Sequence, residues 1–235
     1  MTSSLLLLLK GPLQSWGDQS RYGTRATAST PSKSGIIGMV AAAQGRRRSD
    51  PIEDLADLNF AVRIDQSGAL LRDYQTAQPW QRDPNGSASL VTRYYLQDAA
   101  FVAAIEAPDR GLLESFRDAL NNPTYPLFLG RRSCPAPPNL VQGIVDKPAA
   151  EALMSLDQWF ATMAHKKSRN RTVELPIYRD ALPGETGEKR QDVPVSFDSA
   201  HRQYNWREVV YAGSKTIDNE HGASTDPFFE AVVSV

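Results

Sequence analysis

The chain has 235 residues, 41% of them apolar, and its 26 basic and 27 acidic side chains leave a net charge of −1. That length accommodates one large domain or a compact domain with an extension; the single cysteine, Cys134, excludes an intramolecular disulfide framework and fits a reducing compartment, the cytoplasm by default. No apolar stretch approaches the roughly 20 residues of a membrane-spanning helix, and the leucine run at 5–9 lacks the length and the preceding basic residues of a signal peptide, so a soluble protein with no membrane partner is expected.

In chain order, the continuous apolar run at 5–9, stopped by Gly11 and Pro12, predicts a central strand covered on both faces. Thr30 followed by Pro31 reads as an N-cap and a first helical residue, opening a helix through Ile36, Ile37, Met39 and Val40 that ends near Gly45. A second strand is expected over 59–65, with Ser67 and Gly68 turning the chain into 69–74. Periodicity lapses from 75 to 93, where Asp83, Pro84, Asn85 and Gly86 form a strong turn signal, and a protruding hairpin or arm is predicted. Residues 99–106 resume a strand. Pro108 and Asp109 then open a helix whose Leu112, Leu113, Phe116 and Leu120 share a face, and a short strand follows at 140–145.

Residues 1–146 thus read as β-α-β, an inserted arm, then β-α-β. This is an α+β pattern with the split βαβ order of a ferredoxin-like sandwich, the architecture that also underlies RRM RNA binders. Over 147–235, Ala152, Leu153, Leu156, Trp159, Phe160 and Met163 predict one amphipathic helix. Strands at 173–178, 193–197 and 207–212, with a loop at 183–187, predict a small β-rich C-terminal extension.

Near-neutral net charge argues against a polyanionic partner, because phosphate affinity comes mainly from lysine and arginine. The distribution argues for one. Between Lys10 and Arg48 stand Arg21, Arg25, Lys33, Arg46 and Arg47 against the single acid Asp18, and Lys166, Lys167, Arg169 and Arg171 follow His165. Either run is also compatible with ordinary solvated surface.

Three segments combine glycine, positive charge and planar side chains, the ingredients for gripping single-stranded RNA. In GPLQSWG, Gln14 and Ser15 would read base edges and Trp16 would stack; the alternative is a turn with Trp16 in the core. In TPSKSG, Lys33 and Ser34 would add donors to a helix N-terminus that favours phosphate; the alternative is a simple cap with a solvated lysine. In LGRRSCP, Arg131, Arg132 and Ser133 suit phosphate contact; the alternative is surface charge or an ion pair. Catalytic chemistry is thinly supplied. His165, His201 and His221 are not at ligand spacing from one another or from Cys134, so no metal and no cofactor is expected. Cys134 beside Arg131 and Arg132 lacks a local base, and a buried structural thiol is the plainer reading. His165 with Lys166 and Lys167 is the best candidate for metal-independent RNA cleavage, set against an exposed helix end.

Five segments in register, LLLLLKGPLQSWG, GTRATASTPSKSGIIGMVAAAQG, LRDYQTAQPW, YYLQDAAF and PLFLGRRSCP, resemble the Cas-five family in the CasD branch of type I-E Cascade, with a looser match beyond about residue 150. The resemblance implies a RAMP-type, RRM-related body with a thumb. It implies a non-catalytic subunit for antiviral defence that holds the five-prime handle of CRISPR RNA. Its neighbours would be the large subunit and the terminal backbone subunit, and it would meet target DNA only through the complex. It makes 75–93 the thumb, with Trp80, Arg82 and Arg93 as contacts. Phosphate contacts are then expected from Arg21, Arg25, Lys33, Arg131 and Arg132, base reading from Gln14, and stacking from Trp16 or Tyr74. The alternative is a metal-independent endoribonuclease that processes repeat RNA, as type I-C relatives do; the absence of histidine before residue 165 favours binding.

Overall fold

The computed structural model describes residues 2–17, 24–198 and 201–222. Strand β1 (Ser3–Lys10) is packed on both faces: Leu5, Leu7 and Leu9 meet Ile36, Phe101 and Phe116, while Leu6 and Leu8 meet Ala61, Val102 and Leu153. The unbroken leucine run is the cause, since alternate side chains of a strand point to opposite faces and both must be apolar when both are covered.

Two short strands follow, β2 (Leu13–Gln14) and β3 (Thr24–Arg25), then helix α1 (Lys33–Ala43), the helical turn α2 (Glu53–Ala56) and β4 (Asn59–Gln66). The N-cap of α1 is Ser32, not Thr30. Ser32 Oγ accepts from the Gly35 N–H at 3.2 Å, whereas the Thr30 hydroxyl accepts from Arg190 at 2.6 Å. The arm is a hairpin of β5 (Ala69–Ala77) and β6 (Ser89–Gln97), paired from Ala69↔Gln97 to Ala77↔Ser89 and closed by a turn in which Gly86 N–H bonds the Asp83 carbonyl. Residues 75–93 are therefore its outer part. β2 and β3 brace its root against β6.

Strand β7 (Ala100–Ala107), helix α3 (Arg110–Asn121) and β8 (Val141–Val145) complete the first half, followed by α4 (Ala149–Met154), α5 (Met163–Lys167), β9 (Thr172–Asp180), β10 (Glu188–Ser196) and β11 (Gln203–Asp218). Seven strands form one antiparallel sheet in the order β10-β11-β9-β4-β7-β1-β8. The portion β4-β7-β1-β8, with α1 and α3 packed on one face, has the order expected of a split βαβ sandwich. The C-terminal strands continue the same sheet. β9 pairs with β4 through Ala61↔Arg179 to Arg63↔Ile177, covering what would otherwise be an open sheet edge.

The single amphipathic helix expected over 152–163 is broken into α4 and α5 by residues of β4. Arg63 is fully buried and donates to the carbonyls of Leu153, Leu156 and Gln158 at 3.1, 2.5 and 2.6 Å, groups that a continuing helix would use internally. Its partner Asp65, 2.8 Å away, accepts the Phe160 N–H, and the Trp159 indole donates to the Asp65 carbonyl. This latch lays Ala149, Ala152, Leu153 and Phe160 over Leu6, Leu8, Ala61, Val102 and Ala104. An RRM stacks bases on its sheet; here both faces of the central sheet are occupied by the protein itself. Among the described residues no helix is long and apolar enough to cross a membrane.

A candidate nucleic-acid interface

The three glycine-bearing segments converge on one cavity of about 630 Å³. Ser15, Trp16 and Gly17 come from the loop after β2, Ser32, Ser34 and Gly35 from the start of α1, and Gly130 and Arg131 from the loop before β8. Arg25, Arg48 and Arg93 line it from the first half of the chain, Phe197 and Arg202 from just after β10 and just before β11, and Tyr204 from β11. Two glycines permit this approach. Gly130 has φ +88°, and a Cβ there would stand 1.7 Å from the Ser15 carbonyl oxygen; a Cβ on Gly35 would stand 2.9 Å from the Trp16 indole.

Among the described residues the cavity is lined by five arginines and no carboxylate. Among the described residues, Arg25, Arg48, Arg93 and Arg202 form no ion pair. Arg25 and Arg93 are register partners across β3 and β6, a like-charge pairing that is unfavourable without an anion. Arg93 Nε is buried with no hydrogen-bond partner. A buried donor of this kind calls for an acceptor from outside the chain.

Several expected contacts are placed elsewhere. Gln14 is fully buried: its Nε2 donates to the carbonyls of Leu9 and Ala99 at 3.0 and 2.8 Å, and its Oε1 accepts from the Trp16 indole, so it offers no edge to a base. Trp16 is likewise buried against the first turn of α1 and has no open face for stacking. Ser15 donates to the Tyr94 carbonyl. Lys33 is buried and paired with Asp180 at 3.2 Å, while its N–H is capped by Asp192 at 2.8 Å, so the helix N-terminus is already partly satisfied. Ser34 is buried with its hydroxyl 3.4 Å from Ser32 Oγ.

Arg131 lines the cavity but is anchored there. It donates to the carbonyls of Tyr94, Arg25 and Ala26 and lies 4.8 Å over the Tyr95 ring. Burial would raise the Tyr95 phenol, but the Ser133 hydroxyl and the neighbouring Arg131 and Arg93 guanidiniums outweigh it and hold the phenol below its ordinary value. Arg132 and Ser133 are exposed on the same loop outside the cavity lining, Ser133 with its hydroxyl 3.4 Å from the Tyr95 hydroxyl. Tyr74, Trp80 and Arg82 are exposed on the arm, and Arg21 lies outside the described residues. Sequence reasoning missed Phe197, Arg202 and Tyr204. Their only signal is a basic residue between aromatics in a stretch where no motif is recognisable. No histidine lines the cavity, and burial pushes the Cys134 thiol up, away from nucleophilic use.

The family model described as "CRISPR-associated protein (Cas_Cas5)" matches residues 4–210. The chain belongs to that family. Among relatives, this Cas5 protein is 36% identical over 152 residues to "CRISPR system Cascade subunit CasD" of Escherichia coli strain K12, covering 57% of this chain and 68% of the relative. A solved chain from a "CRISPR RNA-guided surveillance complex" is 30% identical with a TM-score of 0.73, over 97% of this chain and 96% of that one. A second, "Crystal structure of Cas protein", is 32% identical with a TM-score of 0.63, over 95% of this chain and all of that one. The structural likeness therefore runs through the C-terminal strands that complete the Cas5 cavity.

Proposed function

We propose that the arginine cavity holds the sugar-phosphate backbone of a guide RNA at its five-prime handle. The chain then serves as a non-catalytic subunit of a Cascade-type complex. The observation that carries this reading is a cavity with, among the described residues, five arginines, no carboxylate, and a buried Arg93 Nε lacking an acceptor. Phosphate oxygens supply that acceptor and relieve the Arg25–Arg93 repulsion. Arg25, Arg48, Arg93 and Arg202 are the phosphate contacts, while Gln14, Trp16, Lys33 and Arg131 shape the cavity wall. The arm, with Tyr74, Trp80 and Leu90 about 60% exposed or more, presses on the guide and on a neighbouring backbone subunit, as the family resemblance implies.

The nuclease alternative is the less supported reading, because among the described residues the cavity lining holds no histidine or carboxylate to act as base for the 2′-hydroxyl. The test is incubation of the purified chain with labelled repeat RNA without divalent metal, followed by gels for cleavage and for retention of handle-bearing RNA. Retention of intact RNA is expected. Specific cleavage that disappears in His165→Ala would overturn the binding role.

A further inference from the structure

A second group of cations lies outside the arginine cavity. No acidic residue occurs from 158 to 173, and Lys166, Lys167, Arg169 and Arg171 form no ion pair among the described residues. On a loose loop this would be solvated surface; here the backbone is fixed. Asn219, only 3% exposed, donates its side-chain amide to the carbonyls of Lys166 and Asn170 at 2.8 and 2.9 Å, and its backbone N–H to the Arg171 carbonyl at 2.6 Å. Gly222 closes on the same loop, where a Cβ would stand 2.5 Å from the Asn170 carbonyl oxygen. Lys166 Nζ stands 5.3 Å over the Trp159 ring, which is itself tied to Asp65. Asp218 and Glu220, on either side of Asn219, form no ion pair with the four cations.

The loop also has a definite place. Trp159 and Thr162 are bonded to Asp65 and Gln66 at the end of β4, and Lys10, the last residue of β1, donates to the Phe160 carbonyl. The arm leaves the sheet from this same end, between Gln66 and Ala100. Gln14, at the entrance to the cavity loop, is bonded there to Leu9 and Ala99. The cavity belongs to the α1 face and the basic loop to the opposite face, with the arm root between them.

We propose that residues 165–171 are a second phosphodiester-backbone contact, engaging a nucleic-acid strand that passes the root of the arm. A fixed backbone lowers the ordering cost of binding, and guanidinium groups match phosphate oxygens. The inference does not depend on what fills the arginine cavity. The strand is either single-stranded RNA continuing from the cavity or a DNA duplex, and both present the same chemistry.

The test titrates the full chain with labelled single-stranded RNA and, separately, with mixed-sequence duplex DNA across a range of salt. It compares the fourfold variant Lys166→Gln, Lys167→Gln, Arg169→Gln, Arg171→Gln with the cavity variant Arg25→Gln, Arg93→Gln. For the strand that occupies the loop, the fourfold variant should bind at least about tenfold more weakly. Its log–log salt slope should shrink by up to ~2.8 for RNA or ~3.6 for duplex DNA, with an unchanged unfolding midpoint. The probe that responds identifies the strand. Equal affinity and slope on both probes would overturn the proposal. Loss in the fourfold variant with none in the cavity variant would instead sustain the loop and count against the cavity.

Discussion

Arg93 and Gln14 are neighbours of the same cavity with opposite signatures. Arg93 Nε is buried without an acceptor, and an unmet donor of this kind costs about 1–3 kcal/mol. Arg93→Met should therefore leave the free chain as stable as before or more so while weakening RNA binding; a fall in its urea midpoint would mark Arg93 as structural instead. Gln14 satisfies two buried carbonyls and an indole N–H. Gln14→Leu should destabilise by about 2 kcal/mol or more in equilibrium unfolding, and an unchanged midpoint would contradict the buried network. The sequence shows an amide, an indole and a lysine beside glycines, but those side chains bond a ligand or their own backbone with equal chemistry. The choice for Gln14 and Lys33 depends on residues 85 and 159 positions away, which no local pattern reveals.

Helix α1 owes its position to ion pairs with the C-terminal strands. Arg207 bridges Asp192 at 2.6 Å and Asp180 at 2.5 Å, Asp180 also holds Lys33, and Asp192 caps the Lys33 N–H. Burial alone would raise the Asp192 carboxyl, but the Arg207 bonds and charge outweigh it and hold its pKa below 3.8. A carboxyl depressed in the folded state contributes its stability above the unfolded value and loses it as pH falls through the folded one. Urea midpoints should therefore hold from neutrality to about pH 4 and drop below it, with the Asp192 part of that drop absent in Arg207→Met. The break between α4 and α5 has the same kind of cause. Hydrophobic spacing at 152–163 is helical, yet Arg63 takes the carbonyls that would continue the helix. Removing one partner of a buried pair costs about 3–5 kcal/mol, so Arg63→Met should lower the unfolding free energy by that order; a near-neutral result would show that the latch is dispensable. Strand and helix order were readable for the first half because each apolar period there agrees with the tertiary packing.

Across the whole molecule, the C-terminal extension continues the sheet of the first half, since β9 adds to β4, and strand partners more than a hundred residues apart leave no trace in local composition. The same long-range closure completes the cavity. Arg202 and Tyr204 join Ser15, Gly35 and Gly130 only in the folded chain, so the three sequence motifs supplied eight of the fourteen described lining residues and none of the C-terminal side. Near-neutral net charge is then no argument against a polyanion, since four arginines without an ion pair among the described residues gather in one cavity. The central claim is tested most directly by the salt dependence of handle-RNA affinity for the chain and for its Arg25→Gln, Arg48→Gln, Arg93→Gln, Arg202→Gln variant. The account predicts much weaker binding and a log–log slope smaller by ~2.8, about 0.7 per lost contact, with folding preserved; the same affinity and slope in both proteins would contradict it.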